Sequence, residues 1–191
     1  MGTIEKTIAY MEGPGGENTE TVLRLVKKRA DELGIRDIVV ASTYGNTGAK
    51  ASEVLKGYNV VVVTHSTGFE KPGVQQLTDE NRKAIEENGA RILTGTHAFM
   101  NVERAIRGKF NTAYPEEIIA ETLRIFGQGM KVVIEVVAMA ADAGMIPADK
   151  DVISVAGTGK GADTAIVVAP ANSHRLFDMT VKEIIAKPRK R

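Results

Sequence analysis

Ser42-Thr43-Tyr44-Gly45-Asn46-Thr47-Gly48 gathers three Ser and Thr hydroxyls and two glycines into one short stretch. Before it, Ile38-Val39-Val40-Ala41 is the apolar run of a strand buried on both faces. After it, Ala49 to Lys56 has the Ala, Glu, Leu and Lys of a helix. The stretch therefore joins the carboxyl end of a strand to the amino end of a helix. A helix start leaves backbone N–H groups unpaired and carries a partial positive charge. Glycines let an anion approach that backbone and the hydroxyls add donors, so the chemistry is that of a phosphate cradle. The same residues also read as a plain strand-to-helix turn with Asn46 or Thr47 as N-cap. Neither GxxxxGK[ST] nor GxGxxG is present here.

Similar chemistry recurs. His65-Ser66-Thr67-Gly68 follows the apolar run Asn59 to Thr64, and Gly95-Thr96-His97 follows Arg91 to Thr94. Gly157-Thr158-Gly159-Lys160-Gly161-Ala162-Asp163-Thr164 holds three glycines, two threonines and a lysine, the natural counter-charge for a phosphate. That last stretch also reads as a flexible hairpin loop. In an open α/β sheet, ligands bind outside the carboxyl ends of the strands, where these loops fall. His65 and His97 suit contact with a ring or phosphate, or proton transfer, and equally suit hydrogen-bonded loop positions. No third histidine or carboxylate stands at helical metal-ligand spacing to them, so no metal is expected. Glu135 is a charge inside an apolar run, which implies a partner. GxSxG is absent and no carboxylate pair stands out, so the residues leave reaction chemistry open.

The elements that must position these loops alternate. Strands are expected at Thr7 to Met11, Asp37 to Ala41, Asn59 to Thr64, Arg91 to Thr94, Val152 to Ala156 and Ala165 to Ala169. Helices are expected from Glu17 to Leu33, ended by Gly34, then to Lys56, and from a Thr78 cap to Gly89. Further helices are expected at Ala98 to Ile106, from Pro115 with Ile118, Ile119, Leu123 and Ile125 buried, over Lys131 to Ala143, and at Phe177 to Ile185. Lys187 to Arg191 reads as a basic tail. Alternation argues a parallel sheet covered on both faces, and the link between the last two strands is too short for a crossover, so they pair antiparallel or lie apart. No linker or repeat divides the chain, so residues 1–191 are expected to form one domain.

With 191 residues, 43% hydrophobic and 26% charged, a full core is expected. The net charge of +1 gives no electrostatic case for nucleic acid or a membrane surface. The absence of cysteine excludes disulfides, thiolate metal sites and cysteine nucleophiles and fits a cytoplasmic setting. MGTIEKTIAYMEG lacks the apolar core of a signal peptide, and no apolar run approaches the roughly 20 residues of a membrane helix. Val132 to Ala141, apolar but for Glu135, suits either core or the interface of a homo-oligomer.

DIVVASTYGNTGAKASEVLKGYNVVVVTH resembles the strand-loop-helix-strand of the pyruvate kinase C-terminal domain, whose Ser/Thr-Gly loop holds the phosphate of an allosteric sugar phosphate. ADKDVISVAGTGKGADTAIVVAP is similar to that domain's final hairpin. PGGENTETVLRL, VVVTHSTGF, EVVAMAADAGMIP and VKEIIAKPR extend the resemblance to a stand-alone, mostly archaeal group of pyruvate kinase C-terminal-like proteins. The resemblance implies a three-layer α/β/α fold with a five-stranded mixed sheet, mostly parallel with an antiparallel last strand. It implies flavin mononucleotide (FMN) as cofactor. Ser42, Thr43, Gly45, Asn46 and Thr47 would then hold the phosphate, and Gly157, Thr158, Lys160, Gly161 and Asp163 would close over the ligand. Thr64, His65, Thr67 and Gly68 would line the ring or ribityl chain, with Asn18 and Thr19 reaching in, while His97 is a further ligand contact from its place at a strand end alone. The chain has no catalytic barrel and no kinase signature, so phosphotransfer from phosphoenolpyruvate is not expected. A flavin-dependent oxidoreductase, a non-enzymatic sensor of a phosphorylated metabolite, and a structural subunit with an idle pocket are the readings that follow.

Overall fold

The structure, a computed structural model, describes residues 2–190. Seven strands form one sheet: β1 (Ala9–Met11), β2 (Asp37–Ala41), β3 (Asn59–Thr64), β4 (Arg91–Thr94), β5 (Val152–Ala156), β6 (Thr164–Ala169) and β7 (Thr180–Pro188), in the order β1-β7-β6-β5-β2-β3-β4. β2 pairs in parallel with β3 and β5, β3 with β4, and β1 with β7, while β6 runs against both β5 and β7. Six helices connect them: α1 (Thr19–Leu33), α2 (Asn46–Val54), α3 (Asp79–Glu87), α4 (Val102–Phe110), α5 (Pro115–Arg124) and α6 (Gln128–Asp142).

Successive strand side chains point to opposite faces, and that alternation divides the core in two. Ile38, Val40, Val60, Val62, Ile153, Val155, Ala165 and Val167 pack with Val22, Leu23 and Val26 of α1 and with Ala51 and Ile85. Val39, Val61, Val63, Val152, Ile166 and Val168 pack with Val133, Val136, Val137 and Ala140 of α6. A strand covered on both faces must be apolar throughout, which is why NVVVVT and TAIVVA read as unbroken runs. Gly34 ends α1 with a left-handed φ of 67°, and the Thr78 side chain accepts from the Asn81 N–H at 3.2 Å to cap α3.

Five strands, β6-β5-β2-β3-β4, reproduce the expected sheet with its antiparallel member, but the sheet has seven. Of the two further strands, β1 stands within the expected Thr7 to Met11, and β7 was not expected as a strand. Phe177 to Ile185 is not a helix: Ser173–Asp178 is a 3-10 turn and β7 follows. Val181, Ile184 and Ile185 are β-branched, and pairing with the open edge of β6 outweighs their weak helical spacing. Lys187 therefore belongs to β7, paired with Tyr10, rather than to a tail. Arg191 lies outside the described residues. α4 begins at Val102 and continues through Gly108, later than expected. Phe99 is buried and donates its backbone N–H to Glu135 Oε1 at 3.0 Å, which holds residues 97–100 out of the helix. In α5, Ile119, Ala120 and Leu123 face the core, whereas Ile118 and Ile125 are exposed, against expectation. Among the described residues, no helix is long and apolar enough to cross a membrane.

Candidate functional site

The loop after β2 is fixed from within. The Ser42 N–H donates to the Val63 carbonyl at 2.9 Å, and Ser42 Oγ accepts from the Gly48 N–H at 3.0 Å. Ser42, reaching across the loop, caps α2 in place of Asn46 or Thr47. Gly45 takes the N-cap position with a φ of 96°, and a Cβ there would come within 2.4 Å of Asn81 Cβ. Asn46, exposed, and Thr47, buried, are the first residues of α2. Their N–H groups lie where a helix supplies no acceptor of its own.

At the end of β3, Thr64 Oγ1 meets Thr94 Oγ1 at 2.6 Å and ties β3 to β4. His65 has Nε2 3.3 Å from Thr43 Oγ1 and Nδ1 2.8 Å from Gln76 Oε1. Gln76 Nε2 donates to Glu70 Oε2 at 2.9 Å and to the Tyr44 hydroxyl at 3.3 Å. Thr67 is exposed, and Gly68, with a φ of 85°, donates its N–H to the Val74 carbonyl at 2.9 Å. The His65 ring lies 4.0 Å from the Phe69 ring and 5.3 Å from that of His97. Arg104 stands over the Phe69 ring, 5.3 Å from its centre.

Burial pushes the His65 imidazole below its ordinary value, against the opposing pull of Gln76. The fold thus favours neutral His65, and the unfolded chain takes up the proton first. The associated stability is intact above the ordinary histidine value and is lost as pH falls through the lowered folded value. The thermal midpoint is expected to drop between about pH 7 and about pH 5, and His65→Gln should flatten that part of the curve. Superimposable pH profiles for the two proteins would exclude this role.

Beneath the rings, α6 carries a buried charge cluster. Lys131 and Glu135 are each 2% exposed and hydrogen-bonded to one another. Glu135 Oε2 also lies 3.7 Å from His97 Nδ1, beyond hydrogen-bond distance. His97 is 7% exposed, and among the described residues neither ring nitrogen has a hydrogen-bond partner. Burial pushes the Glu135 carboxyl up, but His97 and Lys131 together outweigh it and hold the group below the usual carboxylate value. Burial lowers Lys131 despite Glu135.

The loop after β5 docks on the start of α1. A Cβ on Gly161 would lie 2.3 Å from the Gly16 Cα, and the Ala162 N–H donates to Thr19 Oγ1 at 2.9 Å. Gly157 is equally confined, 2.3 Å in the same sense from the Gly161 carbonyl oxygen. Asp163 is fully buried and accepts from the Thr158 N–H at 2.9 Å and the Thr164 hydroxyl at 2.7 Å. Asn18 turns inward, donating to the Gly13 carbonyl at 2.9 Å. Lys160 is exposed, and its side chain makes no ion pair or hydrogen bond among the described residues.

Two groups thus emerge on one edge, because β2, β3, β4 and β5 are parallel and end together. One joins Thr43, His65 and the His97 ring; the other joins Thr19 to Gly157, Gly161 and Asp163. Two hollows lie elsewhere. One of about 310 Å³ is lined by Phe99, Arg104, Arg107, Glu117 and Arg124, and one of about 750 Å³ flanks β7 and α1. Neither includes a cradle residue. Gln76 and Lys131 were not expected at the site. Lys131 stands four residues before Glu135, the spacing at which helical side chains meet, whereas nothing in its loop marks Gln76.

The chain matches the family model of the pyruvate kinase alpha/beta domain over residues 20–168. Among solved structures it is similar to a pyruvate kinase from Cryptosporidium parvum, at 12% identity and a TM-score of 0.39, covering 78% of this chain and 22% of that one. The Cryptosporidium parvum enzyme in complex with ADP gives 13% identity and 0.38, covering 86% and 24%. A mutant of O-ureido-L-serine synthase with O-ureido-L-serine bound gives 20% and 0.32, covering 75% and 51%. The chain thus spans less than a quarter of the two pyruvate kinase chains and about half of the synthase.

Proposed function

This chain belongs to the pyruvate kinase alpha/beta-domain family, and from that premise we propose that it binds a phosphate-bearing small molecule at the β2–α2 loop, with FMN as the ligand. The observation that carries the reading is the first turn of α2. Its N–H groups at Asn46 and Thr47 stand free of helical acceptors, and Thr43, in the loop just before them, lies 3.3 Å from His65 of the His65–Phe69 ring pair. An anionic end and a flat ring can be served by neighbouring strand ends. Ser42, Gly45, Asn46 and Thr47 would hold the phosphate, with Thr43, whose hydroxyl faces His65, beside it. His65, with Thr64, Thr67, Gly68 and His97, would border the ring or ribityl chain, and Lys160 and its loop would close over it. When bound, FMN would supply hydride or electron transfer, while the chain positions the ring and restricts water.

Titration with FMN, followed by its visible absorbance, tests this. Asn46→Asp combined with Thr47→Ala puts a carboxylate at the phosphate position and removes a hydroxyl. A charge-assisted hydrogen bond contributes about 1.5–3 kcal/mol, so the affinity is expected to fall by roughly tenfold or more with the fold intact. Unchanged affinity would remove the cradle from this reading. If neither NADH nor NADPH reduces the bound flavin, the redox part loses its support. The exposed, unpaired Lys160 favours a second reading, a non-enzymatic sensor of a phosphorylated metabolite, because that cation suits a phosphate whatever it is attached to. Binding of a sugar phosphate but not FMN in a thermal-shift screen selects it.

A further inference from the structure

We propose that Thr43 is a nucleophile, activated by His65, and that the protein turns over small carboxylic esters by acyl transfer. The direction of the hydrogen bonds carries the inference. Gln76 Nε2 donates to the Glu70 carboxylate at 2.9 Å and to the Tyr44 hydroxyl at 3.3 Å, which fixes the side-chain amide and turns Oε1 toward His65. Oε1 can only accept, so the proton of His65 sits on Nδ1, 2.8 Å away. His65 Nε2 then carries a lone pair, and its neighbour at 3.3 Å is Thr43 Oγ1. The threonine hydroxyl must donate. A carboxylate, an amide, an imidazole and a hydroxyl are thus aligned so that each draws on the next, the relation of nucleophile, base and orienting group.

Two consequences follow. Thr43 has one proton and it is committed to His65, so toward a ligand the hydroxyl offers lone pairs. It also sits at the strand-to-helix turn between β2 and α2, as nucleophiles of strand-elbow hydrolases do. In the step, Thr43 Oγ attacks the ester carbonyl carbon while His65 Nε2 takes the hydroxyl proton. The carbonyl oxygen becomes an oxyanion, for which the first-turn N–H groups of α2 are the available donors. Collapse breaks the bond to the alkoxide, which leaves with the proton from His65. Water, deprotonated by His65, then attacks the acyl-threonine; collapse breaks the acyl–Oγ bond and His65 returns the proton to Thr43 Oγ, so that ester and water become carboxylic acid and alcohol. Neutral His65 is the competent base, and its burial keeps it neutral.

The test treats the full chain with 4-nitrophenyl acetate, quenches in acid and maps the acetyl group by peptide mass spectrometry. A burst of about one nitrophenolate per chain is expected, with the acetyl on Thr43. Thr43→Ser should keep the burst and Thr43→Ala should abolish it. His65→Gln should slow it by about 10²-fold or more and remove the histidine inflection from its pH–rate profile. Gln76→Leu, a change at a positioning residue, should shift that inflection while the thermal transition stays cooperative. Acetyl found only on His65, on lysines or on the amino terminus overturns the proposal, as does an undiminished burst in Thr43→Ala. FMN binding, which would use the same first turn of α2, is read in a separate titration.

Discussion

Lys131→Met is expected to destabilise the protein by about 3–5 kcal/mol, the usual cost of removing one partner from a buried ion pair. Lys131 and Glu135 are both 2% exposed. The substitution leaves the Glu135 carboxylate in the core with the Phe99 N–H as its remaining close donor, at 3.0 Å. That loss is a large fraction of the 5–15 kcal/mol typical of whole domains. Denaturant unfolding should show it as a lowered midpoint at unchanged slope. The pair Lys131→Met with Glu135→Leu removes both charges and should recover most of the loss, since an apolar replacement of a buried pair is often neutral. If the single and double variants are equally unstable, lost packing and not an unpaired charge is the cause. The single variant should also lose less at acid pH, where a lone buried Glu135 takes up a proton.

Gly161→Ala carries the second large effect. Its Cβ would stand 2.3 Å from the Gly16 Cα and 2.5 Å from Thr19 Oγ1, with the residue held at a φ of 72°. Neither backbone can give way as a flexible side chain would, so the loop after β5 must lift from α1. Gly159→Ala is the control. It has a comparable φ of 76° with nothing within 4 Å of the added atom, so it bears only the left-handed penalty of about 1–2 kcal/mol. Gly161→Ala should cost about twice that, and amide exchange at Ala162, which donates to Thr19 Oγ1 at 2.9 Å, should quicken. Equal thermal midpoints for the two variants would show that docking on α1 is not under strain. If the loop closes over a ligand, affinity should fall in Gly161→Ala and hold in Gly159→Ala.

The parts of this fold that the sequence makes legible are those with a single physical cause. β2, β3, β5 and β6 are apolar on both faces, so composition alone marks them, and Gly34 and Thr78 mark helix boundaries through backbone needs that few residues meet. β7 escapes because its first half faces outward while its last residues are buried, so that neither alternation nor an unbroken run is displayed. Only the neighbouring β6 decides it. The site divides in the same way. Clusters of glycine and hydroxyl residues at strand ends locate the edge, but which hydroxyls face inward depends on partners remote in sequence. Thr64 bonds Thr94, thirty positions on, and Thr43 bonds His65, twenty-two on. Gln76 orients His65 from a loop with no pattern of its own, and no spacing rule connects the two.

The family match stops at residue 168, and β1 and β7 lie outside it. β6, TAIVVA, is the kind of segment that seeds intermolecular β-assembly: apolar, uncharged and free of proline. As the terminal strand of a five-stranded sheet it would show a bare hydrogen-bonding edge to other chains. β7 closes that edge and moves the border of the sheet outward. The new border carries Lys182 and Glu183 and ends against a strand of three residues, features that discourage chains from adding edge to edge. β1 and β7 thus cover an edge of β6 that would otherwise stand open to other chains.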